Sequence, residues 1–155
     1  MAIDWLTMVD SESRRVAAEV LEKFRDGVIT NCDFEGLWPL YNRGDRGPNA
    51  IETMVWRYYD DLREHKLTGE HSLTDLGRLV FDRCVLFLRT ECEYAWPDDN
   101  FAPGKPGSRG LITLGLSDAH DRLEETCLKE LHVEGESPFW PFCSRSEYEC
   151  AQSRR

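Results

Sequence analysis

Residues 76–88 limit the fold more than any other segment, because they would be apolar on almost every side of a helix. Ser72 and Asp75 precede this run with the spacing of a helix start, a hydroxyl followed three residues later by an acid. A helix without a broad polar face has to be covered by neighbours on several sides. The sequence therefore predicts a central helix surrounded by other helices.

Polar residues within this segment fall into two groups. Arg78, Asp82 and Arg89 are separated by four and seven residues, close to whole helical turns, so they share one polar strip. Arg83 lies off that strip. Because an unpaired charge in a protein interior is costly, we expect Arg83 to need a buried acidic partner.

Apolar periodicity and capping patterns predict further helices on both sides of the central one. The third of these should carry Ile51, Val55, Tyr58 and Leu62 as its main apolar row. In chain order, the further helices should span 12–26 with a stop at Gly27, 30–38, 48 to about 65, 117–131, and a short segment after Ser144, where Glu147 completes a capping box.

The predicted fold class is mainly α, a compact multi-helix bundle of about five helices. At most one short strand is expected, near 111–114, after a breaker-rich irregular loop over 97–110. The chain has 155 residues, no internal repeat and no sharp change in composition. Residues 1–155 are therefore expected to form a single helical domain, long enough to fold without a metal or disulfides.

The net charge of −10 argues against two classes of partner. Nucleic acids and anionic membranes attract cationic surfaces, so neither is an expected partner. A basic protein would be steered toward this chain, although an acidic surface often serves only solubility. Since the amino terminus resembles no signal peptide, the protein is expected in the cytoplasm, with its six cysteines as reduced thiols.

Motifs that would identify a catalytic or metal centre are missing from the sequence. Neither a nucleophile elbow nor a phosphate-binding loop is present, and no cofactor is expected. The best metal-ligand fragment is His120, Glu124 and Cys127, whose spacing is helical but whose ligand set is incomplete. We interpret it as a solvated His–Glu pair over a buried cysteine, and expect no metal. His65 and His71 are interpreted as isolated surface or capping residues.

Three of the five tryptophans precede a proline: Trp38, Trp96 and Trp140. Proline biases the preceding residue toward extended backbone, so each pair can end a helix while its indole ring anchors the chain. We interpret the three rings as anchors on the core. The alternative is an aromatic groove for an extended ligand.

Several segments resemble those of a group of small acidic bacterial proteins that has no assigned activity. They are residues 58–65 (YYDDLREH), 83–88 (RCVLFL), 93–97 (EYAWP), 140–142 (WPF) and 147–149 (EYE). The resemblance covers about half the chain and transfers no functional residue. In size, charge and lack of motifs the chain is also similar to toxin-neutralising immunity proteins, a likeness of analogy only.

The leading hypothesis is a cytoplasmic protein-binding module, an inhibitor or immunity-type partner of a more basic protein. Its expected binding residues are Asp60, Asp61, Glu64, Trp96, Asp98 and Asp99. A competing hypothesis is a small enzyme whose site lies between helices near Trp96, Asp98 and His120. A third is a structural subunit, which would show a large exposed apolar patch.

Overall fold

A computed structural model of the protein describes residues 8–40, 42, 44–96 and 137–155. Three short 3-10 helices there cover Trp56–Tyr58, Gly69–His71 and Ser137–Phe139. These ranges contain no strand, and the predicted mainly α bundle is confirmed. The predicted loop over 97–110, strand near 111–114 and helix over 117–131 lie outside the described residues. The five α-helices that are described are α1 (Ser11–Arg25), α2 (Asn31–Leu37), α3 (Gly47–Val55), α4 (Asp75–Leu88) and α5 (Arg145–Ser153).

Helix α4 is the central element of the described bundle and packs chiefly against α1, with further contacts to α3 and α5. Its first residue is Asp75, and the capping oxygen belongs to Thr74, which accepts a hydrogen bond from Gly77 N at 3.1 Å. The prediction that Ser72 caps this helix was wrong. Ser72 instead ends the preceding 3-10 helix.

The buried positions of α4 form a stripe and do not surround the helix. Gly77, Phe81, Cys84, Val85 and Leu88 are buried at helical spacing, together with Phe87. Two residues expected inside, Leu76 and Leu79, are 62% and 60% exposed. The neighbouring helices therefore cover less of the first turns of α4 than its apolar sequence predicts.

The predicted polar strip of α4 faces the carboxyl-terminal half of α1. Arg25 Nη1 lies 2.7 Å from Asp82 Oδ1, and Arg89 Nη2 lies 2.5 Å from Glu22 Oε2. Among the described residues, Arg83 does not pair with an acid as predicted. Its Nε donates to the carbonyl of Trp140 at 2.9 Å. Burial lowers the pKa of Arg83. Within the described chain, a backbone carbonyl thus takes the place of the expected acid.

The buried ion pair of the described chain joins Arg14 of α1 to Asp45, two residues before α3. Arg14 Nε and Nη2 donate to the two carboxylate oxygens of Asp45 at 2.6 and 2.9 Å, and both residues are almost fully buried. Arg14 Nη1 donates to the carbonyls of Thr90 and Cys92 at 2.9 and 2.8 Å. The guanidinium also lies 4.6 Å from the ring centroid of Phe87. One side chain therefore ties α1, the start of α3 and the end of α4.

Replacing Arg14 by methionine should destabilise the protein strongly, because Asp45 would remain buried without its counter-ion. Removing one partner of a buried ion pair costs about 3–5 kcal/mol of unfolding free energy. The matched control is Arg15→Met on the same helix, where the side chain is 56% exposed and pairs with Glu12 and Glu19 at the surface. Urea unfolding followed by circular dichroism measures both variants. A similar, small loss in both would contradict the central role of Arg14.

Helix α1 is stopped by Gly27, as predicted, and the stop depends on backbone conformation. Gly27 has φ of 68°, in the left-handed region that favours glycine. A Cβ placed there would lie 2.5 Å from Thr68 Cγ2. The turn after α1 therefore requires glycine for its backbone conformation and for the close approach of Thr68.

Gly27→Ala should lower the unfolding free energy by roughly 1–3 kcal/mol, since alanine is strained at positive φ and would overlap Thr68. Gly36→Ala is the matched control, because Gly36 lies within α2 and a Cβ there meets nothing within 4 Å. Alanine in a helix is favoured over glycine by roughly 0.5–1 kcal/mol, so the control should be slightly stabilised. Thermal and urea unfolding give both values. Stabilisation of both variants would refute the strain at Gly27.

Helix α3 is shorter than predicted, ending at Val55 instead of near His65. After one 3-10 turn, Tyr59 adopts an extended backbone with φ of −142° and its ring enters the core. The Tyr59 ring centroid lies 5.4 Å from that of Phe24 and 6.0 Å from that of Phe34. Leu62, expected in the apolar row, is 68% exposed. Aromatic packing in the tertiary structure thus overrides the helical pattern after Val55.

The tryptophans that precede proline act as the predicted anchors, although of the described α-helices only α2 ends at one of them, Trp38. Trp38 is buried at the end of α2, where its backbone turns extended. The indole N–H of Trp140 donates to the Tyr94 hydroxyl, and that of Trp96 donates to the Phe142 carbonyl, both at 3.2 Å. The Trp140–Pro141 peptide bond is cis.

The last helix, α5, begins where predicted, with a different second contact. Ser144 Oγ accepts from Glu147 N at 3.2 Å, as a capping residue should. The Glu147 carboxylate accepts from Cys143 N, one residue before the position that a capping box requires.

Candidate functional site

Three of the predicted binding residues lie together on an exposed loop, residues 60–64, which we call the acidic loop. It contains Asp60, Asp61 and Glu64, all exposed. The predicted helix would have placed Asp60 and Glu64 on one helical face, and that arrangement is wrong because α3 ends at Val55. Leu62 projects from the middle of the loop with 68% of its surface exposed. The loop therefore presents carboxylates around an apolar side chain.

The backbone of the acidic loop is held by the side chain of Asn31, the first residue of α2. Asn31 is 2% exposed, and its Nδ2 donates to the carbonyls of Asp60 and Arg63 at 3.0 and 3.1 Å. Its Oδ1 accepts from His65 N at 2.8 Å. The backbone N–H of Asn31 donates in turn to the His65 carbonyl at 2.9 Å. One buried amide thus binds both ends of the loop.

Two of the loop carboxylates have defined hydrogen-bond partners. Asp60 Oδ1 accepts from Leu62 N at 2.8 Å, which closes a tight turn. Glu64 Oε1 accepts from the Thr30 hydroxyl at 2.9 Å. These contacts orient the carboxylates while leaving them at the surface.

Helix α2 adds two more acids beside the acidic loop, Asp33 and Glu35. Both lie close enough to Cys32 for their charges to act on its thiol. The thiol pKa is raised by partial desolvation and then by the charges of Glu64, Glu35 and Asp33. The acidic loop together with Asp33 and Glu35 is called the acidic surface below. Arg63 and Lys66 are exposed in the same stretch of chain and offset part of its charge.

The acidic surface extends toward α3 through Glu35. Tyr59 Oη donates to Glu35 Oε1 at 2.9 Å. On α3, burial and then the charge of Glu35 raise the pKa of Glu52. Sequence patterns did not single out Glu35 or Glu52, because their proximity depends on the tertiary arrangement of two segments distant in sequence.

The other predicted site residues are not joined to the acidic loop by described contacts. Trp96 is half-buried; its indole binds the Phe142 carbonyl, and its own carbonyl accepts from Arg46 Nη2 at 3.1 Å. Asp98, Asp99 and His120 lie outside the described residues. The proposed enzyme site near Trp96, Asp98 and His120 therefore stays a prediction.

Thiol chemistry is disfavoured at three of the described cysteines. Burial raises the pKa of Cys84, and desolvation followed by the Glu147 hydrogen bond raises the pKa of Cys143 to about 11. The pKa of Cys32 is raised as well. Since the thiolate is the nucleophile and the metal-binding form, none of these three is prepared for catalysis.

His65 and His71, interpreted above as isolated, stack on each other. Their ring centroids are 3.9 Å apart, with an interplanar angle of 30°. His65 Nδ1 lies 2.8 Å from the Arg63 carbonyl, so His65 supports the acidic loop through its side chain as well as its backbone. Among the described residues, no group of three histidine, cysteine or acidic side chains is arranged to hold a metal ion.

Two further results concern membranes and relatives. In the described ranges, no helix has both the length and the apolar character needed to cross a membrane. No protein-family model, curated protein or solved structure matches the chain.

Asn31→Ala should release the acidic loop, because three hydrogen bonds from one buried amide would be lost. The expected cost is roughly 1–3 kcal/mol, the penalty for leaving buried polar groups unsatisfied. Hydrogen exchange at His65 N should become at least about tenfold faster, because the loop would open locally more often. Asn49→Ala is the control, since its amide donates to the Asn42 carbonyl away from this loop. Unchanged exchange at His65 N would show that Asn31 does not hold the loop.

Proposed function

We propose that this chain is a cytoplasmic protein-binding module that uses the acidic surface to bind a more basic protein, as an inhibitor or immunity-type partner. The observation that carries the proposal is the combination of exposure and fixed geometry at the acidic loop. Its side chains face solvent, while Asn31 holds its backbone from inside. A loop ordered before binding loses less conformational entropy on association than a flexible one.

Charge supports a basic partner over a neutral one. The acidic surface carries five carboxylates, at Asp33, Glu35, Asp60, Asp61 and Glu64, on a chain of net charge −10. Complementary charge speeds the diffusional encounter of two proteins and disfavours partners of like charge. The proposed partner is therefore a protein with a cationic patch.

Leu62 supports a protein surface as the ligand over a small cation. Interfaces commonly place an apolar side chain at their centre with charged residues around it. Leu62 is 68% exposed between the carboxylates of Asp61 and Glu64 in the chain. In the proposed complex, Leu62 enters a shallow apolar pocket of the partner, and the surrounding acids pair with its basic residues.

The test is affinity capture with the tagged protein from a lysate of its source organism, comparing the wild type with the variant D60N/D61N/E64Q. The amides remove three charges while keeping the acceptor oxygens that bind Leu62 N and the Thr30 hydroxyl. The wild type should retain a basic protein that high salt releases. With that protein purified, the variant should associate about tenfold more slowly, because electrostatic steering is lost.

The matched control is E12Q/E19Q/E149Q, which removes three exposed charges from α1 and α5. It should associate nearly as fast as the wild type. A second variant, Leu62→Ser, should leave the association rate nearly unchanged and speed dissociation. Equal slowing by both triple variants would assign the effect to net charge and exclude the acidic loop as the binding site.

A further inference from the structure

A second candidate site lies on α5, apart from the acidic loop. A cavity of about 720 Å³ opens between the carboxyl-terminal half of α4, the segment 89–92 and α5. Pockets for small molecules commonly measure roughly 300–1,000 Å³. Its apolar wall is formed by Val85 and Leu86 of α4 and Ala151 of α5, with the cysteines Cys92 and Cys150 beside them.

Acidic side chains at this cavity are already engaged in hydrogen bonds. Both carboxylate oxygens of Glu91 accept from the Ser11 hydroxyl, at 2.9 and 3.1 Å. Glu147 accepts from Cys143 N at the start of α5. Arg89, which also lines the cavity, is paired with Glu22. Arg89 is therefore balanced by Glu22, whereas Glu91 and Glu147 are hydrogen-bonded and keep their negative charges.

Two further arginines line the same cavity. Arg154 and Arg155 follow the end of α5, line the cavity and are exposed. Within the described part of the chain, neither side chain has a hydrogen bond or an ion pair. The cavity thus joins an apolar wall to two available guanidinium groups, on a chain whose net charge is −10.

We propose that this cavity binds a small amphipathic carboxylate. The apolar body of the ligand lies between α4 and α5, against Val85, Leu86 and Ala151. Its carboxylate is bound by Arg154 and Arg155, because guanidinium groups match the two oxygens of a carboxylate in a bidentate geometry. The site is independent of the acidic surface and of the protein partner proposed above.

The experiment is a fluorescence titration of the purified full chain with 1-anilinonaphthalene-8-sulfonate, which has an apolar aromatic body and one anionic head. The wild type should bind it with one-to-one saturation, and decanoate should displace it. Two variants test the two halves of the site. R154E/R155E reverses the charge, and Cys150→Trp fills the cavity from an exposed position of α5; each should weaken binding by at least about tenfold.

The matched control is R63E/K66E, which makes the same change in net charge on the acidic loop side and should stay within about twofold of the wild-type affinity. Circular dichroism and the thermal midpoint establish that each variant is folded. Lack of saturable binding by the wild type would overturn the proposal. Loss of binding in only one of the two site variants would also overturn it, since the ligand would then recognise charge or volume alone. Failure of decanoate to displace the probe would exclude a carboxylate ligand.

Discussion

The guanidinium of Arg14, on α1, has hydrogen-bond partners in Asp45, just before α3, and in the chain after α4. Asp45 balances its charge, and the carbonyls of Thr90 and Cys92 accept the two N–H groups of Nη1. Asp45 in turn accepts from the backbone N–H groups of Asp10 and Gly47, at the beginnings of α1 and α3. The packing of α1 on α4 and the position of α3 therefore depend on a single buried charge network.

Asn31 also joins segments that are distant in sequence, but it does so for one surface loop. Like Arg14, it is a buried polar side chain whose N–H groups bind backbone carbonyls distant in sequence. Arg14 binds carbonyls inside the bundle, whereas Asn31 binds those of a surface loop. The consequence is a loop whose backbone is ordered by the interior and whose carboxylates and leucine stay available to a partner. The proposed binding of a protein partner depends on this combination of an ordered backbone and exposed side chains.

Charge is distributed unevenly over the described surface. Carboxylates gather around α2 and the acidic loop, where desolvation and then their charges raise the pKa values of Cys32 and Glu52. Arg154 and Arg155 lie instead beside the cavity between α4 and α5. The two proposed sites thus differ in character: the acidic surface is proposed to bind a basic protein, and the cavity with its two arginines a small organic anion.

Local signals in the amino-acid sequence were sufficient for the helical fold class, the stop at Gly27 and the extended backbone at Trp38, because each depends on residues a few positions apart. They were not sufficient for the end of α3, the partner of Arg83, the stacked pair His65 and His71, or the hydrogen bonds by which Asn31 holds the acidic loop. The stacked histidines are only six residues apart and depend on the path of the chain between them, whereas the others depend on contacts between segments distant in sequence. In the segment after Val55, packing of Tyr59 into the core and hydrogen bonds from Asn31 outweigh the helical pattern of the sequence. Helix-forming periodicity contributes little free energy per residue, so tertiary burial and buried hydrogen bonds decided where that periodicity ended.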